Sequence, residues 1–510
     1  MRNTSINYLY ETVKRYPNKI CVKDKEKELT FEKFFNYAMR IAKCISETSL
    51  VNEPVIVYLP KGVDAVVSFA AVILSGNIYV PIDTKAPLAR TEKILKNIAP
   101  RKFITSIQFE KDVFLLGIDR EIVVFLESIK DSIINESIEI MIEEFKQRTS
   151  KIIDLDPCYI IHTSGSTGFP KGVVISHRGV MDYIDWAISF LKINVYDIIG
   201  NQSPLFFDNS VLDIFLSWST GAQLNLIPEN IFSFPIKLIE YLENHNITFI
   251  FFVPSVLVNI ANMKLLSPGR MPALKKVVFA GEVMPTKHLA YWQNNLPDKT
   301  YINLYGPTEI TVDCAYFVVD RIYSPDEVLP IGYPRPNCGI IILNEDNETA
   351  KTGEIGEICV RGSCLALGYW NNREDSQKAF IKNPIQDKFC DQIYRTGDLA
   401  YVNEKGQIIF VGRKDNQIKH MGYRIELGEI ELAATSLPFI RQCCALYDAV
   451  KTQIVLCYES ENEISPELIR TQLALKLPSY MIPRRYIHFK EIPLNQNGKI
   501  DRKRLSDEIK

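Results

Sequence analysis

The chain of 510 residues contains no run of the roughly 20 consecutive apolar residues that a membrane-spanning helix needs, so membrane insertion is not expected. Its first residues, MRNTSINYLYETVKRYPNK, lack the apolar core of a secretory signal. Eleven cysteines are scattered without a CxxC pair, Cys443 and Cys444 being the only adjacent two, which argues against a zinc site and against a disulfide framework. Reduced thiols and a cytoplasmic location are the expectation. An excess of one charge is missing too: the formal net charge of −2 gives no global attraction to nucleic acid or to an anionic membrane. Internal repeats, low-complexity tracts and long charge runs are absent from the sequence. Apolar residues at 46% and charged residues at 24% fit a folded chain, whose length calls for at least two domains.

Short apolar runs ending in turn residues predict doubly buried parallel strands: PVIVYL at 54–59, ITFIFFVPS at 247–255 and KKVVFAG at 275–281. Between them, VDAVVSFAAVILSG at 63–76 has the length and alanine content of a packed helix. From about Pro330 the texture changes to shorter strands with glycine turns, GEIGEICVRG at 353–362 and KGQIIFVGR at 405–413, as in a small β-rich subdomain. After Asp415, GEIELAATSL and SPELIRTQLALKL read as helices and AVKTQIVLCYES as a strand. The expected fold is therefore α/β: an N-terminal part over 1–414 with parallel sheets sandwiched by helices plus the β-rich subdomain, and a small α+β part over 415–510.

One loop stands out, TSGSTGFPKG at 163–172. Gly165 and Gly168 allow positive φ and a close backbone approach to phosphate oxygens; Thr163, Ser164, Ser166 and Thr167 add hydroxyls, and Lys171 a charge. Nucleotide phosphate is the ligand this composition suits. The Walker A pattern fails, because Lys171 follows Pro170 and no Ser or Thr follows it. Taken alone, such a loop also reads as a flexible surface turn.

Further stretches give it company: LSGNIYVPID at 74–83, SHRGV at 176–180, NLYGPTE at 303–309, YRTGD at 394–398, GRKDNQIKHMGYRIELGEIE at 412–431 and PLNQNGKIDR at 493–502. In this order and at these separations the chain resembles the adenylate-forming superfamily along nearly its whole length, specifically the amino-acid adenylation domains of nonribosomal peptide synthetases and the stand-alone D-alanine ligases that charge carrier proteins. The resemblance implies ATP-dependent formation of an aminoacyl adenylate with Mg2+, then transfer to a phosphopantetheine thiol.

Carried over residue by residue, it makes Glu309 the metal-holding carboxylate, since a hard cation takes oxygen ligands and a triphosphate needs neutralising before attack. Tyr305 would offer a face to adenine and Asn303 an amide to its edge, with Gly306 and Thr308 in the same ATP-binding segment. Asp398 is suited to capture of the two ribose hydroxyls with Arg413 at the same end, turn-capping being its structural alternative. Lys171 and Lys499 join Glu309 as catalytic residues; Lys499 would bridge substrate carboxylate and α-phosphate, where a cation stabilises two anionic reactants. Asp415 matches the hinge about which the 415–510 part rotates, and GYRIELGEIE beyond it reads as a loop and a helix start.

Amino-acid selectivity is expected to rest on FFDNSVLDIF at 206–215. There Asp208 matches the residue that binds the substrate α-ammonium, helix capping ahead of Ser210 being the alternative. The other pocket positions are Asn209, Leu212, Ser255, Val278, Ala280, Leu304, Val312 and Asp313, a small and partly polar set. GEVMP at 281–285 resembles the D-alanine ligases, although Ala280 stands where those usually carry cysteine. No carrier segment follows the lysine motif, so a separate carrier protein is the expected acceptor. An acyl- or aryl-CoA ligase using free coenzyme A is the runner-up, against which Asp208 argues, and a non-catalytic nucleotide-binding protein is third.

Overall fold

In a computed structural model of the chain, residues 3–46, 51–129, 138–165, 169–415, 417–494 and 500–508 are described. Two compact units emerge. The first comprises Met1–Asp83, Ala99–His162 and Gly172–Lys414; the second gathers Thr84–Ile98, Thr163–Lys171 and Asp415–Lys510.

In the first unit, the apolar runs become parallel strands because they are buried on both faces. Pro54–Tyr58 and Phe249–Phe252 are buried at every residue. Six strands run parallel in the order Ile20–Lys23, Gln223–Leu226, Ile198–Asn201, Phe249–Phe252, Lys276–Phe279 and Thr300–Tyr305. Antiparallel strands Glu28–Thr30, Ala315–Val318 and Tyr333–Pro334 complete this nine-stranded sheet at its edges. A seven-stranded sheet is parallel from Pro157–Thr163 through Ile78–Pro81, Pro54–Tyr58 and Lys102–Thr105 to Val123–Phe125. The helix Val63–Leu74 is apolar almost all round, and every residue in it except Asp64 is buried. It shares one large core with the helices Phe31–Ile45, His177–Leu191 and Asn209–Thr220. The glycine-punctuated stretch folds as a five-stranded antiparallel sheet of Cys338–Leu343, Gly356–Gly362, Gln392–Val402, Phe380–Lys382 and Ile408–Arg413.

The second unit has its own core, in which Ile425, Ile430, Leu456, Leu473 and Met481 are buried together. Its sheet joins Gln442–Asp448, Gln453–Glu459 and Arg485–Phe489, with helices Leu427–Thr435 and Pro466–Ala474. One expectation is corrected here. The segment before Leu427 is not a loop: Gln417–His420 and Tyr423–Glu426 form a hairpin. Its two turn residues, Met421 and Gly422, both take positive φ, at 54° and 82°, which gives the twist a two-residue hairpin needs.

Candidate functional site

The α/β plan sends side chains out from the carboxyl ends of adjacent parallel strands, where open sheets of this kind hold ligands. Phe251, Val278 and Ile302 pair in one register row, and Phe252, Phe279 and Asn303 in the next. Ala280, Leu304 and Tyr305 therefore lie at or just past the carboxyl ends of two adjacent interior strands. Ser255 follows at the start of the helix Pro254–Asn262.

Of the residues expected to bind nucleotide, Asp398 lies in the long strand Gln392–Val402, opposite Arg413. Its carboxylate is 1% exposed and bonded at both oxygens: Oδ1 accepts from Arg413 Nη1 at 2.5 Å and Oδ2 from the Tyr305 hydroxyl at 2.5 Å. The turn itself is held by other groups, Thr396 Oγ1 accepting the Asp398 N–H at 3.0 Å and Glu357 accepting the Gly397 N–H at 3.0 Å. An ionised carboxylate has about four acceptor directions, so two contacts leave capacity for a vicinal diol. Burial, and next the charge of Asp398, push the Tyr305 hydroxyl well above its usual pKa, which keeps it a donor. Asn303 spends one amide donor on the Pro330 carbonyl at 2.9 Å.

The turn that follows carries strain. Gly306 admits no side chain: a Cβ there would meet the Val312 carbonyl oxygen at 2.3 Å and the Asp313 Cα at 2.6 Å. Thr308–Ile310 form a single tight turn, after which Thr311 and Val312, both β-branched, take left-handed φ of 58° and 70°. Such residues cost on the order of 1–3 kcal/mol each and persist only where surroundings impose them. The fold-back presents Glu309, 1% exposed, whose Oε1 accepts the Tyr369 hydroxyl at 2.9 Å. Among the described residues no group of three His, Cys, Asp or Glu converges to hold a metal ion with protein ligands alone. One buried carboxylate on this turn fits Mg2+, which keeps waters and binds through one or two carboxylates plus substrate phosphates.

Of the residues expected to bind the amino acid, Asp208 is buried at the N-terminus of the helix Asn209–Thr220, yet its side chain makes no capping hydrogen bond. Leu212 is fully buried on that helix, and Val278, Ala280, Leu304 and Val312 are buried at the strand ends and the fold-back. Asp313 is 1% exposed and accepts the Tyr183 hydroxyl at 2.7 Å, while its carbonyl takes a 2.9 Å hydrogen bond from Arg335 Nε. Arg335 is fully buried, ion-paired to Asp182 at 2.6 Å and set over the ring of Tyr183. Burial first, then the charge of Asp313, and lastly that of Asp208, raise the Tyr183 hydroxyl well above its usual value. Both carboxylates thus act on one tyrosine. Neither Tyr183 nor Arg335 was singled out by the sequence, because their partners lie 130 and 22 residues away respectively.

The segment Thr163–Lys171, expected to bind phosphate, and Asp415 belong to the second unit. Thr163 ends the strand Pro157–Thr163 and Lys171 starts Lys171–Ser176. Gly165 corrects an expectation: it is not in a left-handed conformation, and glycine is required because a Cβ would stand 2.2 Å from the Phe169 carbonyl oxygen. The Ser164 hydroxyl donates to the Arg424 carbonyl at 2.7 Å and accepts the Glu426 N–H at 3.2 Å. A buried ion pair joins Arg90 to Glu429. Asp415 Oδ1 accepts the Gln417 N–H at 3.2 Å. Ser166, Thr167, Gly168 and Lys499 lie outside the described residues.

Residues 9–370 match the family described as AMP-binding enzyme. The chain is 31% identical to a D-alanine--D-alanyl carrier protein ligase of Bacillus licheniformis, over 98% of this chain and 99% of that protein. It is 31% identical to gramicidin S synthase 1 of Brevibacillus brevis over 99% of this chain, spanning 44% of that larger protein. In fold it is similar, at a TM-score of 0.85 and 24% identity, to the Vibrio cholerae adenylation domain AlmE in complex with glycyl-adenosine-5'-phosphate, covering 100% of this chain and 98% of that one.

Proposed function

We propose, starting from the fact that this chain belongs to the AMP-binding enzyme family and is an adenylate-forming ligase, that it activates a small or polar amino acid and passes it to the phosphopantetheine thiol of a separate carrier protein. The observation that carries the amino-acid reading is Asp208: a buried carboxylate at a helix start that does not cap the helix has the chemistry to pair an α-ammonium. The likeness to the D-alanine--D-alanyl carrier protein ligase supports the same class of acceptor.

In this reading the substrate carboxylate oxygen attacks the α-phosphorus of ATP and pyrophosphate leaves. Asp398, aligned by Tyr305 and Arg413, holds the ribose hydroxyls and so orients the nucleotide. Glu309 would hold Mg2+, which when bound neutralises charge on the phosphates, with Thr308 in the same ATP-binding segment. The loop Thr163–Lys171 supplies hydroxyl contacts from Ser166 and Thr167 and a cationic contact from Lys171 to phosphate oxygens, the Ser164 hydroxyl joining them once it leaves the Arg424 carbonyl, and Lys499 supplies a cation at the junction of the two anionic reactants. Asp415 is the hinge about which residues 415–510 rearrange between the two half-reactions, so that Lys499 withdraws before the thiol enters.

The acceptor is tested by supplying the activated amino acid with either holo carrier protein or free coenzyme A. Loading of the carrier thiol, seen as a mass shift, is the expected result; thioester formation on coenzyme A alone overturns the carrier reading.

A further inference from the structure

A short segment outside every residue assigned so far, Cys364–Tyr369, is tied to the Glu309 turn at three points. The Ala366 N–H donates to the Glu309 carbonyl at 2.8 Å, the Cys364 carbonyl accepts the Thr311 hydroxyl at 2.8 Å, and the Tyr369 hydroxyl donates to Glu309 Oε1 at 2.9 Å. The same segment is knitted to the strand leaving the phosphate loop. Gly368 and Tyr369 pair with Val174 and Val173, the Leu367 N–H donates to the Val174 carbonyl at 2.8 Å, and the Trp370 N–H to that of Gly172 at 2.7 Å.

Tyr369 itself is held firmly. Its N–H donates to Ser376 Oγ at 2.9 Å, and its ring lies edge-on to Phe380 with centroids 5.9 Å apart. The Tyr369 phenol, anchored on the strand Gly368–Tyr369, brings its hydroxyl to Glu309 Oε1 from one fixed direction, and a hydrogen bond of that kind restrains the carboxylate's side-chain torsions.

We infer that Tyr369 is a positioning residue for the metal-holding carboxylate: it fixes the orientation of Glu309, so that the carboxylate is preset for Mg·ATP rather than recruited by it. The inference rests on the reading of Glu309 as the metal-holding group. Tyr369 touches neither nucleotide nor amino acid in this role, and its contribution passes wholly through Glu309.

The test uses the full chain as Tyr369→Phe, Glu309→Gln and the double variant, each checked for an unchanged thermal melt. Phenylalanine keeps the ring contact with Phe380 and removes only the hydroxyl. ATP binding is measured by calorimetry with Mg2+ and with EDTA, and the Mg2+ dependence of pyrophosphate exchange is titrated alongside. Tyr369→Phe is expected to weaken Mg·ATP binding by about ten-fold, the scale of one hydrogen bond to a charged group, and to raise the half-saturating Mg2+ by a similar factor. Metal-free ATP binding and the KM for the amino acid stay as in wild type, and in the Glu309→Gln background the tyrosine change adds nothing. An unchanged Mg2+ dependence in Tyr369→Phe, with Glu309→Gln shifted, overturns the positioning role alone. An equal loss of ATP binding with and without metal overturns it as well. An unshifted Mg2+ dependence in Glu309→Gln overturns the metal reading beneath it and the proposal together.

Discussion

The hydroxyl of Tyr305 and the carboxylate of Asp398 meet at 2.5 Å although 93 residues separate them in sequence. The contact joins the end of a strand in the nine-stranded sheet to the longest strand of the five-stranded one, and Arg413 closes the other oxygen. If that carboxylate orients ribose, Tyr305→Phe releases one of its two anchors. The KM for ATP is then expected to rise roughly ten-fold, with the amino-acid KM unaltered. Steady-state kinetics with each substrate varied separately checks this, and a change confined to the amino-acid KM contradicts it.

Lys499→Ala is expected to slow adenylation by ~10² to 10³, the scale for losing one electrostatic contact made in the transition state. Pyrophosphate exchange by the folded variant measures it. An unchanged rate removes Lys499 from the mechanism.

Asp313→Ala distinguishes a side-chain contact from scaffolding. Tyr183 and Arg335 brace this residue, so the variant loses a buried hydrogen bond and melts lower, by roughly 1–3 kcal/mol of stability. Beyond that, the ranking of amino acids is expected to change while the ATP KM does not. The same ranking at uniformly lower rates means that Asp313 is scaffold.

Two buried groups give opposite pH slopes to stability. Burial lowers the His177 pKa to about 4, so above that the folded protein keeps it neutral while the unfolded chain protonates below about 6.5; stability is lost as pH falls across that window. Burial raises Asp213 to about 8, so the folded protein retains a proton that the unfolded chain releases near 3.8; stability is lost as pH rises from about 4 to 8. Across pH 4 to 6.5 the two largely cancel. From 6.5 to 8 Asp213 acts alone, and wild type is expected to lose roughly 2 kcal/mol there that Asp213→Asn does not. Denaturant melts of both proteins at pH 6.5 and 8 measure the difference, and parallel slopes contradict it.

The strands at 54–58, 249–252 and 276–279 were legible because burial on both faces writes itself as runs rich in Val, Ile and Phe. The helix at 63–74 was legible from its length and alanine content. What stayed hidden depends on backbone conformations and distant partners. The hairpin turn uses Met421, a residue that rarely adopts positive φ, in place of the Asn-Gly or Asp-Gly that signals such a turn. Gly165 looked like a residue of unusual φ, and it is there for close approach to Phe169. The motif residues Asp398, Glu309 and Asp208 could be named from the chain, whereas Tyr183, Arg335 and Tyr369 could not, since a lone tyrosine or arginine has no local pattern. Their roles exist only once the strands bring them to their carboxylates.

The account turns on Asp208, and its most direct test is amino-acid-dependent exchange of labelled pyrophosphate into ATP by wild type and Asp208→Ala. A panel of proteinogenic and D-amino acids is run beside plain carboxylic acids of matching size, with Mg2+ present. Wild type is predicted to exchange with a small or polar amino acid and not with its des-amino analogue, and Asp208→Ala to lose ~2 to 5 kcal/mol of amino-acid binding because the ammonium is left buried without its partner. Exchange driven by plain carboxylic acids, with silence across the amino acids, would contradict it.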